Sequence, residues 1–196
     1  ESPADSVLQD LDILMFDIQC VGVRFYTYLT SMFYTLKAAA AQDLPVMVLD
    51  RPNPITGTRI AGPMIDKSLT SFEGACEIPV MHGMTLGELA LYLNETNKLN
   101  ACVEVVPMEG WSRSMWYEDT GLAWVSPSPN IPTVDTAVLY PGMCLFEATN
   151  LSEGRGTTRP FEQVGAPWIE ANRLAMALNA KALPGVRFRA AHFLPT

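Results

Sequence analysis

The sequence predicts an α/β fold with parallel strands, and three neighbouring segments indicate it. Residues 11–18 form a short apolar run that is typical of a buried parallel strand. Residues 23–42 repeat apolar side chains at helical spacing, and residues 45–49 form a second apolar run that ends abruptly at two prolines. A strand, a helix and a strand in this order form a βαβ unit, which we expect to cross over with a right hand.

The later elements follow from local signals. A Gly/Pro-rich segment is followed by a helix over residues 85–97, which Thr85 should begin as the N-cap with Glu88 completing a capping box. A proline-dense stretch over residues 126–132 indicates a boundary, so we divide the chain into domains 1–132 and 133–196. The remaining predictions are a strand at 101–107, a surface loop with a short helix at 109–124, a helix at 168–182 and a half-exposed strand at 186–193.

Composition excludes several classes of protein. The chain has 196 residues, of which 48% are apolar and 17% charged, so it has enough apolar side chains for a core and is not disordered. Its net charge of −8 and its pI of about 4.7 disfavour nucleic acid and anionic membrane surfaces as partners. No apolar run reaches the roughly 18 residues of a membrane span.

Cysteine and histidine spacing gives no sign of a metal site. The four cysteines, at positions 20, 76, 102 and 144, form no C-x-x-C pair, which favours free thiols, although a disulfide stays open. His82 and His192 lie far apart, so zinc is not expected.

Polar clusters follow the first two predicted strands. Since ligands of open α/β sheets bind beyond the carboxyl ends of the strands, both clusters should lie on one rim. Carboxylate, amide and guanidinium groups together suit a polyhydroxylated or carboxylated ligand. The alternative is structural, with Asp50 capping a turn and Arg24 pairing with Asp17. The candidate ligand-binding residues of these clusters are Asp17, Gln19, Arg24, Tyr28, Arg51 and Asn53.

The densest polar motif is at residues 146–162. Its glycines allow close approach of the backbone to a ligand, and ordering such a loop is costly, so function explains it better than packing. A solvated loop with internal ion pairs is the alternative. The carboxylates Asp17, Glu147, Glu153 and Glu162 suggest glycoside hydrolysis, which uses a pair of carboxyl groups. The motif is no phosphate-binding P-loop, because G-x-x-x-x-G-K-[ST] is absent.

Three tryptophans, Trp111, Trp116 and Trp124, lie within the predicted loop at 109–124. An aromatic ring can stack on the apolar face of a sugar, although packing is the more frequent role of tryptophan.

Several of these motifs together resemble the exo-β-N-acetylmuramidase family of NamZ-type peptidoglycan hydrolases. The resemblance covers nearly the whole chain in the same order, and the S-E-G-R-G-T block is its most specific part. The motifs are DIQCVGVRFYTYL at 17–29, LDRPNPITG at 49–57, HGMTLGELA at 82–90, WVSPSPNIPT at 124–133, YPGMCLFEATNLSEGRGTTRPFE at 140–162 and GAPW at 165–168.

The resemblance implies a fold and an activity. It implies a Rossmann-like parallel sheet with helices on both faces, followed by part of a smaller auxiliary α/β domain, with the active site in the cleft between them. It implies release of terminal N-acetylmuramic acid from the non-reducing end of peptidoglycan fragments in bacterial cell-wall recycling, without metal or cofactor. The family's Glu-His-Gly motif, which carries the proposed catalytic acid, is expected upstream of Glu1, because Met81 precedes His82-Gly83 here. Cys20 stands where an aspartate is expected.

The resemblance also implies which candidate residues would bind or cleave muramic acid. An arginine is wanted for the lactyl carboxylate, and asparagines could bind the acetamido group and hydroxyls. The catalytic candidates of this chain are Glu153 and Asp17. The substrate-binding candidates are Gln19, Arg24, Tyr28, Arg51, Asn53, Asn130, Glu147, Asn150, Ser152 and Arg155.

Two alternative functions stay open at this point. One is a non-catalytic muropeptide- or sugar-binding protein on the same fold. The other is a nucleotide-dependent enzyme, which the absence of G-x-G-x-x-G after any predicted strand disfavours. The whole protein is expected to be extracytoplasmic, and the chain alone is expected to be inactive and marginally stable because it would expose sheet edges.

Overall fold

A three-stranded parallel sheet forms the centre of the N-terminal part of the chain. The computed structural model describes residues 3–195 and contains two units, one that ends at Pro127 and one that begins at Ser128. The sheet's strands β1 (Leu14–Phe16), β2 (Val46–Leu49) and β5 (Val103–Val106) lie in the order β1-β2-β5 with both pairs parallel, so the α/β prediction and the first three of the four predicted strands are confirmed. The other strands are β3 (Ala61–Met64) and β4 (Pro79–Met81), and the helices are α1 (Asp5–Leu8), α2 (Tyr28–Ala40), α3 (Leu86–Thr96), α4 (Val134–Met143) and α5 (Ala171–Asn179).

One face of the parallel sheet carries the core. Phe16, Val46 and Val48 point to this face and are buried, α3 packs against β2 and β5, and α2 packs against α3. Met15 and Glu104 are paired through β2 on the opposite face, and Met15 is 57% exposed. The prediction that the first strand is buried on both faces is therefore wrong for its outer face.

The third helix begins as its sequence predicts. Thr85 Oγ1 accepts a hydrogen bond from the Glu88 backbone N–H at 3.2 Å, and the Glu88 carboxylate accepts one from the Thr85 N–H at 2.9 Å. This capping box satisfies two backbone donors that the first turn of a helix leaves without partners, and it fixes the start of α3.

An antiparallel hairpin lies within the Gly/Pro-rich segment that precedes α3. Strands β3 and β4 pair from Ala61 with Met81 to Met64 with Pro79. Gly62 has a φ of 82°, and a Cβ there would lie 2.6 Å from Val80 Cβ, so only glycine fits this close approach. The sequence shows no sign of these two strands, because the glycine and prolines of the segment are typical of turns and interrupt the alternating apolar pattern of a strand.

The α-helices of the second unit are α4 and α5, within the described residues. In α4, Pro141 lies inside the helix, and Ala137 and Tyr140 are buried beside Phe161, whose ring meets that of Tyr140 edge-to-face at 4.8 Å. The helix predicted at 168–182 is confirmed in the shorter form α5, which the Glu170 carboxylate caps. The units divide between Pro127 and Ser128, whereas the predicted domain boundary after residue 132 stays a prediction.

The half-exposed strand predicted at residues 186–193 is wrong. This segment has no regular secondary structure, although its residues alternate as a strand's would. The side-chain amide of Asn179 takes the place of a partner strand: its Nδ2 donates to Phe188 O at 2.7 Å, and its Oδ1 accepts from Phe188 N at 2.8 Å.

The cysteines form no disulfide among the described residues. All four cysteines are free, as predicted, with Cys20 and Cys76 buried. Burial raises the pKa of the Cys76 thiol to about 12, which makes it inert.

Within residues 3–195, every helix falls short of the length and apolar character that crossing a bilayer requires.

Buried His82 should make the folded state sensitive to acid. His82 is 3% exposed, its Nδ1 accepts from Met84 N at 3.1 Å, and burial lowers its pKa from 6.5 to about 4. Between these two values the unfolded chain binds the proton more readily, so stability is lost as the pH falls. Titration of His82 should lower the free energy of unfolding by about 2 kcal/mol between pH 7 and pH 5.

The measurement is urea unfolding of the wild type and of His82→Asn at both pH values. Asparagine keeps an acceptor near the position of Nδ1 but does not titrate, so the variant should lose about 2 kcal/mol less than the wild type. The exposed His192→Asn is the control and should behave as the wild type does. Equal pH sensitivity in all three proteins would contradict the assignment.

Candidate functional site

A cleft of about 660 Å³ lies beyond the carboxyl ends of the three parallel strands. Each strand contributes the residues that follow it, because parallel strands end at the same edge of a sheet. This is where the sequence predicted a ligand. The lining residues are Asp17 after β1, Leu49 to Pro52 at the end of β2, and Met108, Glu109, Gly110, Trp111, Met115, Asp119, Thr120 and Leu122 after β5.

An ion pair between Asp17 and Arg51 joins the first two strand ends across the cleft. Arg51 Nε donates to Asp17 Oδ1 at 2.6 Å, and the two side chains are about half exposed, which limits the pair's contribution to stability. The Nη atoms of Arg51 have no hydrogen-bond partner among the described residues, and no other cation lines the cleft there. Arg51 can therefore donate to an incoming carboxylate while it still holds Asp17.

Asp50 lines the cleft and also fixes the start of α3. Its Oδ1 accepts from the backbone N–H groups of Gly87 at 2.8 Å and Arg51 at 3.0 Å, and its Oδ2 accepts from the Thr85 hydroxyl at 2.7 Å. A carboxylate at a helix N-terminus is favourable because the free N–H groups concentrate positive potential there. A Cβ at Gly87 would lie 2.5 Å from a Val105 methyl, so glycine lets α3 start this close to β5.

The apolar wall of the cleft comes from the loop that follows β5. Trp111 lines it together with Met108, Met115 and Leu122. The three tryptophans of this loop do not act as one group, because Trp124 packs edge-to-face on Tyr117 at 4.8 Å and Trp116 stacks with Arg59. Only Trp111 is placed for the sugar stacking that the sequence suggested for all three.

Gln19, Tyr28 and Asn53 are used to hold loops together. Gln19 Nε2 donates to the carbonyls of Pro52 and Cys20, and the Tyr28 hydroxyl donates to Pro127 O. Asn53 is 3% exposed, and its amide donates to Met84 O at 3.0 Å and accepts from Ile55 N at 3.1 Å. None of the three lines the cleft. The structure shows these loop contacts, and the predicted contacts of the three residues with substrate stay predictions.

Arg24 is also absent from the residues that line the cleft. It is 9% exposed, and its Nη1 donates to Ile78 O at 2.6 Å and Pro63 O at 2.8 Å, which ties it to the β3–β4 hairpin. Burial lowers the pKa of Arg24, as desolvation of a cation should. The predicted binding of a ligand carboxylate by Arg24 stays a prediction, whereas its alternative pairing with Asp17 is wrong because Asp17 pairs with Arg51.

In the second unit, one arginine holds two glutamates together. Arg155 Nε donates to Glu147 Oε1 at 2.8 Å and lies 3.1 Å from Glu153 Oε1, while its Nη2 also contacts Glu147. Its guanidinium carbon lies 5.0 Å from the centre of the Phe161 ring, a cation–π contact. Burial alone would lower the pKa of Arg155, but the hydrogen bond to Glu147 and the charges of both glutamates outweigh it and raise the pKa.

The remaining candidates of the second unit show varied environments. Ser152 accepts from Gly154 N through its hydroxyl, and its backbone forms a two-way bridge with Gly165. Asn130 is half-buried and Asn150 is exposed. The motif at 146–162 contains internal ion pairs, and Glu153 is its most buried acid at 8% exposure. A functional role for the motif stays a prediction.

Sequence reasoning missed most of the cleft residues that follow β5. Met108, Glu109, Met115 and Asp119 line the cleft, and Asp119 also accepts from Trp116 N at 2.9 Å. A usable signal was present, because the third strand was predicted and the rule that placed ligands at strand ends applies to it equally. The described residues include no cluster of three or more His, Cys, Asp or Glu side chains that is arranged for a metal ion.

Comparison with known proteins gives consistent matches over both units. The family described as "Exo-beta-N-acetylmuramidase NamZ, N-terminal" matches residues 1–135, and its C-terminal counterpart matches residues 138–196. The chain is 51% identical over all of its 196 residues to the peptidoglycan beta-N-acetylmuramidase NamZ of Bacillus subtilis (strain 168). It spans 47% of that relative's length.

Two solved structures share the fold. A DUF1343 family protein from Bacteroides fragilis NCTC 9343 is 43% identical with a TM-score of 0.92, over 99% of this chain and 51% of that one. A second DUF1343 family protein from the same organism is also 43% identical, with a TM-score of 0.77 over 84% of this chain and 46% of that one.

Proposed function

The chain belongs to the exo-β-N-acetylmuramidase NamZ family, and from this premise we propose that the whole protein is a glycoside hydrolase that releases terminal N-acetylmuramic acid from peptidoglycan fragments. Support comes from the 51% identity to a curated peptidoglycan β-N-acetylmuramidase over the full length of the chain. We propose also that the protein acts outside the cytoplasmic membrane, where peptidoglycan lies, which cell fractionation with an antibody would test.

The observation that carries this proposal is the pairing of Arg51 with an apolar wall in one cleft. N-acetylmuramic acid has a lactyl carboxylate and a sugar ring with an apolar face. Arg51 offers free N–H groups for the carboxylate, and Trp111 offers a ring on which the sugar can stack. The other ionic groups that line the cleft are carboxylates, so Arg51 is the attractive point for an anionic sugar in this unit.

The test is hydrolysis by the whole protein of a chromogenic N-acetylmuramic acid glycoside, beside the corresponding N-acetylglucosaminide. We expect release from the muramic acid glycoside alone. Release from the glucosaminide alone would refute the substrate, and calorimetric binding of muramic acid without any release would refute hydrolysis in favour of a non-catalytic sugar-binding protein.

Replacement of Arg51 should weaken binding of the acidic sugar selectively. A charge-assisted hydrogen bond contributes about 1.5–3 kcal/mol, so Arg51→Met should raise KM for the muramic acid glycoside by roughly 10- to 100-fold. Arg51→Lys should recover part of this loss because it keeps the charge that faces Asp17.

Arg173→Met is the control for this series, because Arg173 is exposed on α5 and lies in the other unit. It should leave KM unchanged. An unchanged KM in Arg51→Met would show that the carboxylate binds elsewhere.

For the chemical step, Glu153 and Asp17 remain the proposed carboxylates of this chain. Hydrolysis of a glycoside needs a carboxylic acid that protonates the leaving oxygen. Glu153 is 8% exposed, and its Oε2 has no hydrogen-bond partner in the described part of the chain. Asp17 lines the cleft but is engaged by Arg51, which suits a charge-stabilising or water-orienting role.

Glu153→Gln should lower kcat of the whole protein by about 10²- to 10⁴-fold with little change in KM, because an amide can neither accept nor donate a proton as a carboxyl group does. Glu162→Gln is the matched control, since Glu162 is a structural acceptor for the Thr136 hydroxyl at 2.7 Å. Full activity in Glu153→Gln would remove Glu153 from the reaction and leave Asp17, tested in the same assay as Asp17→Asn.

A further inference from the structure

Trp111 needs an external support if it is to serve as a fixed wall of the cleft. Its loop follows β5 without regular structure until Tyr117, and residues 112–114 are exposed. The indole Nε1 of Trp111 is buried but finds no hydrogen-bond partner among the described residues. The ring is therefore held by packing and by whatever lies against its faces.

Arg113 lies against that ring and connects its loop to two other segments. Its guanidinium carbon is 5.8 Å from the centre of the Trp111 ring, its Nη1 donates to Gly83 O at 2.8 Å, and its Nη2 pairs with Glu88 on α3. Its own carbonyl accepts from Gly57 N at 2.8 Å. Arg113 therefore ties the loop after β5 both to the start of α3 and to the turn after β2.

We propose that Arg113 is a positioning residue that fixes Trp111 as the sugar-stacking wall of the cleft, an inference that rests on the proposed function. The planar guanidinium meets an aromatic face while its donors reach fixed carbonyl and carboxylate acceptors. Arg113 does not itself line the cleft, so it acts on the sugar only through Trp111. Glu88 has a double role here, because the carboxylate that completes the helix cap also orients Arg113.

The first experiment measures the support of Trp111 without any ligand. In a variant of this chain with Trp116, Trp124 and Trp168 replaced by phenylalanine, Trp111 is the single tryptophan and is excited selectively over the tyrosines. Arg113→Met should increase quenching of Trp111 by acrylamide and lower its fluorescence anisotropy, with Arg113→Lys in between. Unchanged quenching and anisotropy in Arg113→Met would overturn the proposal whether or not the protein hydrolyses muramic acid.

Arg59→Met is the matched control for this variant. Arg59 makes the same kind of contact with a different tryptophan, since its guanidinium carbon lies 5.6 Å from the centre of the Trp116 ring. Trp116 does not line the cleft. Arg59→Met should therefore leave the fluorescence of Trp111 as it is in the single-tryptophan protein, and a change equal to that of Arg113→Met would count against a specific role for Arg113.

The second experiment uses the whole protein with its native tryptophans and the chromogenic muramic acid glycoside. Arg113→Met should raise KM by about three- to ten-fold and leave kcat within about two-fold. The same substitution in a Trp111→Ala protein should raise KM no further, because the two residues act as one unit. A general loss of stability would instead add to the effect of Trp111→Ala, and that additivity would overturn the proposal.

The two experiments separate this inference from the proposed function. If the unsubstituted protein does not cleave the glycoside, the proposed function fails, and the fluorescence of Trp111 still decides whether Arg113 positions it. If the protein cleaves the glycoside but the effects of Arg113→Met and Trp111→Ala on KM add, the proposed function stands and the positioning role of Arg113 fails.

Discussion

The carboxylate of Asp50 is the contact on which the cleft depends. It follows β2 directly and accepts from the Gly87 N–H and the Thr85 hydroxyl, so it fixes the start of α3 at the carboxyl end of the sheet. The same carboxylate accepts from the Arg51 N–H, which determines where the next side chain leaves the backbone. The Asp50 carboxylate therefore places the guanidinium that we propose for ligand binding, and the N-terminus of α3 offsets the negative charge of Asp50.

The loops that line and flank the cleft are held by polar side chains because they lack regular structure. Backbone carbonyls in such loops need donors, and Gln19, Asn53 and Arg113 supply them to Pro52, Met84 and Gly83. The proposal for this cleft thus involves two sets of polar residues, one for the ligand and one for the loops. The second set has the same composition as the first, so residue type alone does not separate them.

This similarity explains what the sequence predicted and what it did not. The three strands and the capping box of α3 depend on short-range patterns, and they were predicted with small differences in their bounds. The buried roles of Arg24 and Asn53 depend on carbonyls that lie 54 and 31 residues further along the chain. The strand predicted at 186–193 is wrong because alternating side chains indicate which face of a strand is buried but do not show that a second strand lies beside it. Here the side chain of Asn179 forms the hydrogen bonds to the backbone of Phe188.

The two charged centres of the chain differ in what they leave available to a ligand. In the second unit, Arg155 is engaged by both Glu147 and Glu153 and stacks on Phe161, so most of its binding capacity is used within the protein. In the first unit, Arg51 gives its Nε to Asp17, and its other side-chain nitrogens have no hydrogen-bond partner among the described residues. Charge-assisted bonds to a carboxylate are strongest where such donors are already oriented and not yet used. For this reason we propose Arg51 as the residue that binds the acidic sugar, while Arg155 pairs with two glutamates of its own unit.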